Sequence, residues 1–276
     1  MITRKIKHPV IPDLSDPSDS SSVRRPSDKA ALLNACFVKQ TVLAGAESAV
    51  PDEIARNDHE FSFLSTTPRD VFSVISHLKE KKAAGLDGLP PRLLKYCAEG
   101  ISVSVADLFN RSFAEGRFPS DKKSALVIPV FKKGAQSDPG NYRPIALLPI
   151  ISKVMERLVL DKLSLFLNPW LPPAQSGFKK KDGTVAQLTR LTQLWSEAID
   201  NSDYAGVIFF DLSKAFDKVW HEGLLYKPRA AGICGPAYNW FMSFLADRCQ
   251  ATVVDGHQFP FLPLHAGVPQ GDILSA

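Results

Sequence analysis

The sequence predicts an α+β fold, and three observations carry that prediction. Apolar residues recur at helical spacing in several separate stretches before Asp203. Short β-branched and aromatic runs are fewer, as in Ala125–Phe131 and Gly206–Phe210. Late in the chain, Asp255-Gly256 joins two such runs, and this dipeptide accepts the positive φ of a tight hairpin turn.

Taken in order, residues from Pro9 to Pro26 are rich in Pro, Ser and Asp and predict a linker or disordered lead. Leu32, Cys36 and Phe37 space a helix over Asp28–Val42 that docks on a later element. Thr67 as N-cap, Pro68 at the first helical position and Asp70 three residues on predict a capped helix. Val71, Ile75 and Leu78 are its apolar face and Gly85 marks its end. Further helices are expected over Leu93–Phe113, Ile151–Phe166 and Thr184–Ile199. In the last, Leu188, Leu191, Leu194, Trp195 and Ala198 form a stripe that predicts core packing. Ala251–Val254 and Gln258–Leu262 are the arms of the hairpin.

Composition narrows the class of protein. The 276 residues are 45% hydrophobic and 22% charged, ordinary globular values that allow one large domain or two. A formal charge of +4 and a pI near 8.8 suit a phosphate-bearing partner, although a pI above about 9 is the mark of dedicated nucleic-acid domains. Lysines cluster at Lys79-Lys81-Lys82, Lys122-Lys123, Lys132-Lys133 and Lys179-Lys180-Lys181, as solvated faces or as phosphate contacts. Cys36, Cys97, Cys234 and Cys249 fit neither a disulfide framework nor a zinc spacing. With no signal-peptide succession and no apolar run near ~18 residues, a soluble intracellular protein without a membrane is expected, nucleus or cytoplasm being open.

Chemistry is concentrated in two stretches. Asp211 directly follows the apolar run Val207-Ile208-Phe209-Phe210, which is either a helix-capping position or a carboxylate held at the end of a strand. The second is the glycine-flanked sequence Ala266-Gly267-Val268-Pro269-Gln270-Gly271-Asp272.

Phe210-Asp211-Leu212-Ser213-Lys214-Ala215-Phe216-Asp217-Lys218-Val219 resembles the first palm motif of reverse transcriptases of non-LTR (LINE-type, jockey-like) retrotransposons. Ala266–Ala276 resembles their second palm motif. Ile128–Gly134 and Asn141–Pro149 are similar to their paired fingers segments, and Lys82–Gly88 and Gln175–Phe178 to fingers loops near template. The resemblance runs from about Asp28 to the end of the chain.

It implies right-hand polymerase architecture: a lead with a docking helix over 1–65, fingers over 66–203, and an incomplete antiparallel palm with helices over 204–276. It implies Asp211 as catalytic carboxylate and ligand of Mg2+, and Phe216 as the bulky side chain that excludes a ribose 2′-hydroxyl. Gln270 and Gly271 would lie beside the incoming nucleotide. Arg143 and Lys132 would bind its triphosphate, a planar fork and a point charge matched to phosphate oxygens. Asp217 would support the turn rather than the metals. Implied partners are an RNA template, a DNA primer and deoxynucleoside triphosphates.

Asp272 stands where the family usually has Ser, and a carboxylate beside a triphosphate is expected to impair activity. The family's Ala-Asp-Asp turn and thumb would follow the second palm motif, so the fragment is expected to be inactive. Two readings stay open beside RNA-directed DNA polymerase: a non-catalytic nucleic-acid-binding remnant and a helical protein-interaction module.

Overall fold

The computed structural model describes residues 10–43, 60–63, 65–179 and 182–275. Pro9, Lys180, Lys181 and Ala276, which figure in the expectations above, lie outside the described residues.

The fold is α+β. Residues 10–26, expected as a linker, instead make a small hairpin, β1 (Leu14–Ser15) and β2 (Ser22–Val23). Asp16 and Asp19 each accept a backbone N–H two residues on and shape its turn. Ile11 and Leu14 are buried against α1 (Pro26–Gln40), and the Lys29 ammonium donates to the Ile11 carbonyl at 2.9 Å. Two apolar anchors and local Asp turns thus order a segment whose average composition is polar.

The helix α2 (Pro68–Ser76) begins with the expected capping box, Thr67 N–H to Asp70 Oδ2 at 2.9 Å and Asp70 N–H to Thr67 Oγ1 at 3.2 Å. It stops well before Gly85, because the lysine-rich run after Leu78 offers no further apolar face. Gly85 serves packing instead: a Cβ there would overlap the backbone of Leu148 and Pro149.

The helix expected over Leu93–Phe113 is two, α3 (Pro91–Tyr96) and α4 (Ala98–Glu115), which break at Cys97. Gly116, in the left-handed region at φ +62°, closes α4. Next come β3 (Ser124–Phe131), β4 (Tyr142–Leu147) and α5 (Ile150–Leu167). After α6 (Thr184–Asp200) stand α7 (His221–Ala230) and α8 (Gly235–Leu245), neither of them signalled by the periodicity read above. The hairpin is β5 (Cys249–Val254) and β6 (His257–Gln258), turning on Asp255 and Gly256 at φ +48° and +81°, as expected; β7 (Leu262–Pro263) returns beside β5.

The sheet order is β4-β3-β5-β6, with β7 also on β5. It is mixed, β3 pairing antiparallel to β4 and parallel to β5, so strands flanking Asp203 on both sides share one sheet. Above it α1 covers β5, burying Leu33 and Phe37 with Val127 and Val254. Fully buried Asn34 is satisfied by the Thr252 hydroxyl at 2.9 Å, as a dry amide requires.

The larger core joins α2, α4, α5 and α8 around Trp240, which no solvent reaches. Phe244 stacks on its ring, Phe63, Phe113, Phe118 and Phe241 meet it edge-on, and its indole N–H donates to Ser112 Oγ at 3.0 Å.

Two expectations fail. The run Gly206–Phe210 is not a strand: among the described residues nothing pairs with it, and Phe210 is 90% exposed. A β-prone sequence becomes a strand only where a ladder partner satisfies its backbone. Nor does α6 bury its stripe, since none of its residues is buried and Leu188 is 56% exposed. Polar contacts hold it instead: Arg190 bonds Asp182 and Ser176, and Gln187 donates to the Ala174 carbonyl.

Candidate active site

Ahead of α7, residues 213–218 fold as consecutive turns, with Lys214 in the left-handed region at φ +55° and its carbonyl accepting from the N–H groups of Asp217 and Lys218. Onto these turns the second glycine-flanked stretch is laid backbone to backbone. Val268 N–H donates to the Phe216 carbonyl at 2.8 Å and Gly267 N–H to the Val219 carbonyl at 2.9 Å. The His221 ring meets the Gly267 carbonyl through Nε2 at 2.7 Å. Gly267 is required by this approach: a Cβ there would stand 2.7 Å from the Asp217 carbonyl oxygen.

Gln270 ties three pieces together. Its side-chain Nε2 donates to both oxygens of Asp217, at 3.0 and 3.2 Å. Its carbonyl accepts from the N–H of Ala146, on the outer edge of β4, at 2.9 Å. Gly271 follows at φ +138°, with its Cβ position only 2.6 Å from the Ala146 carbonyl oxygen. Asp217 is largely buried; that burial pushes its carboxyl above the usual range, while the Gln270 hydrogen bond and the Lys214 charge pull the other way.

The same strand pair carries the two cations. Register sets Arg143 opposite Val130, and the Lys132 N–H extends the ladder to the Asn141 carbonyl. Alternate residues of a strand share a face, so Arg143 and Lys132 project from one side of the β3–β4 pair. Both are exposed. Phe216 meets Phe178 edge-on at 6.5 Å, which brings the Gln175–Phe178 loop to the same region.

Asp211 stands apart. It is exposed, and no hydrogen bond or ion pair joins it to another described residue. Among the described residues no group of three or more His, Cys, Asp or Glu side chains could hold a metal ion. Mg2+ takes near-octahedral oxygen coordination, and Asp217, the next carboxylate along the chain, has both oxygens engaged by Gln270. This donor set does not fit the ion.

Asp272 directly follows Gly271. Its side chain turns into the core, Oδ1 accepting from the Ser275 N–H at 2.8 Å and Oδ2 shielded from water. Sequence reasoning also missed Glu156, which accepts the Ile273 N–H through Oε2 at 2.7 Å. Its signal was present: Glu156 falls between Met155 and Val159 on the buried face of α5, where a charged residue is out of place unless it bonds something.

The sequence matches the family "Reverse transcriptase (RNA-dependent DNA polymerase)" over residues 130–276, a span that includes every site residue above. It is 38% identical over 214 residues to the RNA-directed DNA polymerase from mobile element jockey of Drosophila melanogaster, covering 76% of this chain and 23% of that protein. Its identity to the Drosophila funebris jockey polymerase is 35%, over 75% of this chain and 23% of the relative. To the probable RNA-directed DNA polymerase from transposon BS of Drosophila melanogaster it is 33%, over 74% and 23%. The chain thus spans about a quarter of the length of these curated relatives. Among the described residues no helix is long and apolar enough to cross a membrane.

Proposed function

Because this chain belongs to the reverse transcriptase (RNA-dependent DNA polymerase) family, we propose that it forms the fingers and part of the palm of a retrotransposon's RNA-directed DNA polymerase. Its substrates are an RNA template, a DNA primer and deoxynucleoside triphosphates. The observation that carries the reading is the junction at Gln270, which fastens the Phe216–Asp217 turn to the strand bearing Arg143.

In this reading Arg143 and Lys132 neutralise the triphosphate from one face of the β3–β4 pair. Phe216 lies against the sugar. Gln270 and Gly271 lie beside the base, where the absent Cβ of Gly271 lets backbone approach. Asp211 is the catalytic carboxylate; holding Mg2+ there would take further carboxylates beside it. Fingers over 66–203 and palm over 204–276 are the corresponding division.

The test is primer extension on an RNA template with Mg2+. The chain alone is expected to give no product; the chain extended by a family-like Ala-Asp-Asp segment and thumb is expected to extend the primer, and Asp211→Asn in that extended form to abolish it. An extended chain that stays inert while the original binds RNA would favour the second reading, a nucleic-acid-binding remnant, to which the solitary, exposed Asp211 also points. Binding that ignores salt concentration would remove both readings, because phosphate contacts release counterions.

A further inference from the structure

Residues 132–141 join β3 to β4; Lys132 opens this turn and Arg143 stands just past its end. Residues 132–138 are exposed throughout, so core packing does not fix them. Within the turn Asp138 Oδ1 accepts the Gly140 N–H at 2.7 Å, and Asn141 Nδ2 donates to the Ala135 carbonyl at 3.1 Å. Two further bonds come from outside it and take consecutive carbonyls. The Tyr142 hydroxyl donates to the Gln136 carbonyl at 2.7 Å, and the Ser15 N–H of β1 donates to the Ser137 carbonyl at 2.8 Å.

The strand β1 is itself anchored. Lys29, buried near the start of α1, donates to the Ile11 carbonyl and stands 3.4 Å from the Asp13 carboxylate. Ile11 and Leu14 share one buried cluster with Tyr142, Val127 and the α1 residues Leu33 and Phe37. The Tyr142 ring also meets Phe131, its register partner, edge-on at 5.6 Å. A path of contacts therefore runs from the helix that covers β5, through β1, to the tip of the β3–β4 turn. Neighbouring residues of a strand point to opposite faces, so the grip on buried Tyr142 also orients exposed Arg143 beside it.

We propose that the β1–β2 hairpin braces the β3–β4 turn and that Leu14, Ser15 and Tyr142 are positioning residues for Lys132 and Arg143, a role that rests on the reading of these two cations as triphosphate ligands. The Lys132 N–H bonds the Asn141 carbonyl at 2.9 Å, so the two cations flank the last rung of the ladder, where the turn begins. A point charge and a planar fork grip one polyphosphate together when their backbones are held at a fixed spacing. An exposed turn of this length has many conformations, and each one excluded before the ligand arrives removes an ordering cost from binding. The Tyr142 hydroxyl, the Ser15 N–H and the apolar anchor at Leu14 supply that exclusion.

The experiment uses the full chain and two hairpin variants. Ser15→Pro deletes the N–H that reaches Ser137, at a strand position whose extended backbone proline accepts, and Leu14→Ala loosens the anchor. Hydrogen exchange is read at the hydrogen-bonded amides of Lys132, Asp138, Gly140 and Asn141, with the α8 amides as reference for global stability. Losing one tether should speed exchange in the turn about two- to tenfold beyond any change in α8. Titration with deoxythymidine triphosphate should show a fall in affinity of similar size. That fall should shrink in an Arg143→Ala background, because the brace acts through that side chain, and a hairpin that serves stability alone would not show this dependence.

Turn exchange that keeps its original rate in both variants, or rises no more than in α8, overturns the brace. So does a faster turn with triphosphate affinity unchanged, or a fall in affinity that is undiminished beside Arg143→Ala. Should the unaltered chain bind no triphosphate, the assignment of Lys132 and Arg143 fails separately, and exchange in the turn decides whether the hairpin braces it. Should Leu14→Ala fail to fold, Ser15→Pro decides by the same criteria.

Discussion

The side-chain amide of Gln270 holds the carboxylate of Asp217 by both oxygens, across 53 residues of chain. Gln270→Leu leaves that largely buried carboxylate without its donor, and such a loss costs about 1–3 kcal/mol. Replacing both partners by apolar residues leaves nothing unsatisfied. The double variant Asp217→Leu, Gln270→Leu is therefore expected to be less destabilised than the sum of the singles, as a double-mutant cycle in urea unfolding will read.

Gly271→Ala should be among the most damaging single-methyl changes in the chain. The new Cβ would press on the Ala146 carbonyl, and φ is +138°. Gly88→Ala is the control, since Gly88 is also left-handed at +66° but faces open space. Its cost should be the backbone term alone, about 1–2 kcal/mol. A melting curve in which Gly271→Ala falls no further than Gly88→Ala would remove the close approach as the reason for this glycine.

Arg143→Ala and Lys132→Ala act on exposed side chains, so stability should change by less than about 0.5 kcal/mol. Affinity for a deoxynucleoside triphosphate should nonetheless drop, more for Arg143 than for Lys132, because only the guanidinium can bind phosphate in two places. Nucleotide titration of both variants checks this. Equal, unchanged affinities would dissociate the β3–β4 face from the triphosphate.

Leu188→Ser and Ile199→Ser on α6 are expected to leave the melting temperature of the isolated chain within error. Neither side chain is buried, and a core leucine would instead cost about 2–5 kcal/mol on truncation.

That outcome would also mark where sequence stops being informative. The Thr67–Asp70 capping box and the Asp255-Gly256 turn were legible because their chemistry closes within four residues. The Leu188 stripe has the right period for a buried helix, but burial needs a surface to cover it, and spacing cannot supply one. Val207–Phe210 has strand composition without a strand partner. In the site, residue identities were readable by resemblance. The direction taken by the turn at Asp272 was not, since Glu156, which accepts the neighbouring Ile273 N–H, is far away in sequence and comes near only once α5 is in place.

The parallel pairing of β3 with β5 bears on how the molecule is made. Ser124 and Cys249 are register partners separated by 125 residues, so the centre of the sheet cannot close until the chain beyond β5 has been synthesised. At ~5–20 residues per second, that leaves β3 with one edge open for on the order of ten seconds. During that interval β4 can close the other edge of β3 but not the one that β5 will take. The speed of the local β3–β4 closure, set against the slow arrival of β5, therefore governs how much nascent chain is exposed to wrong partners.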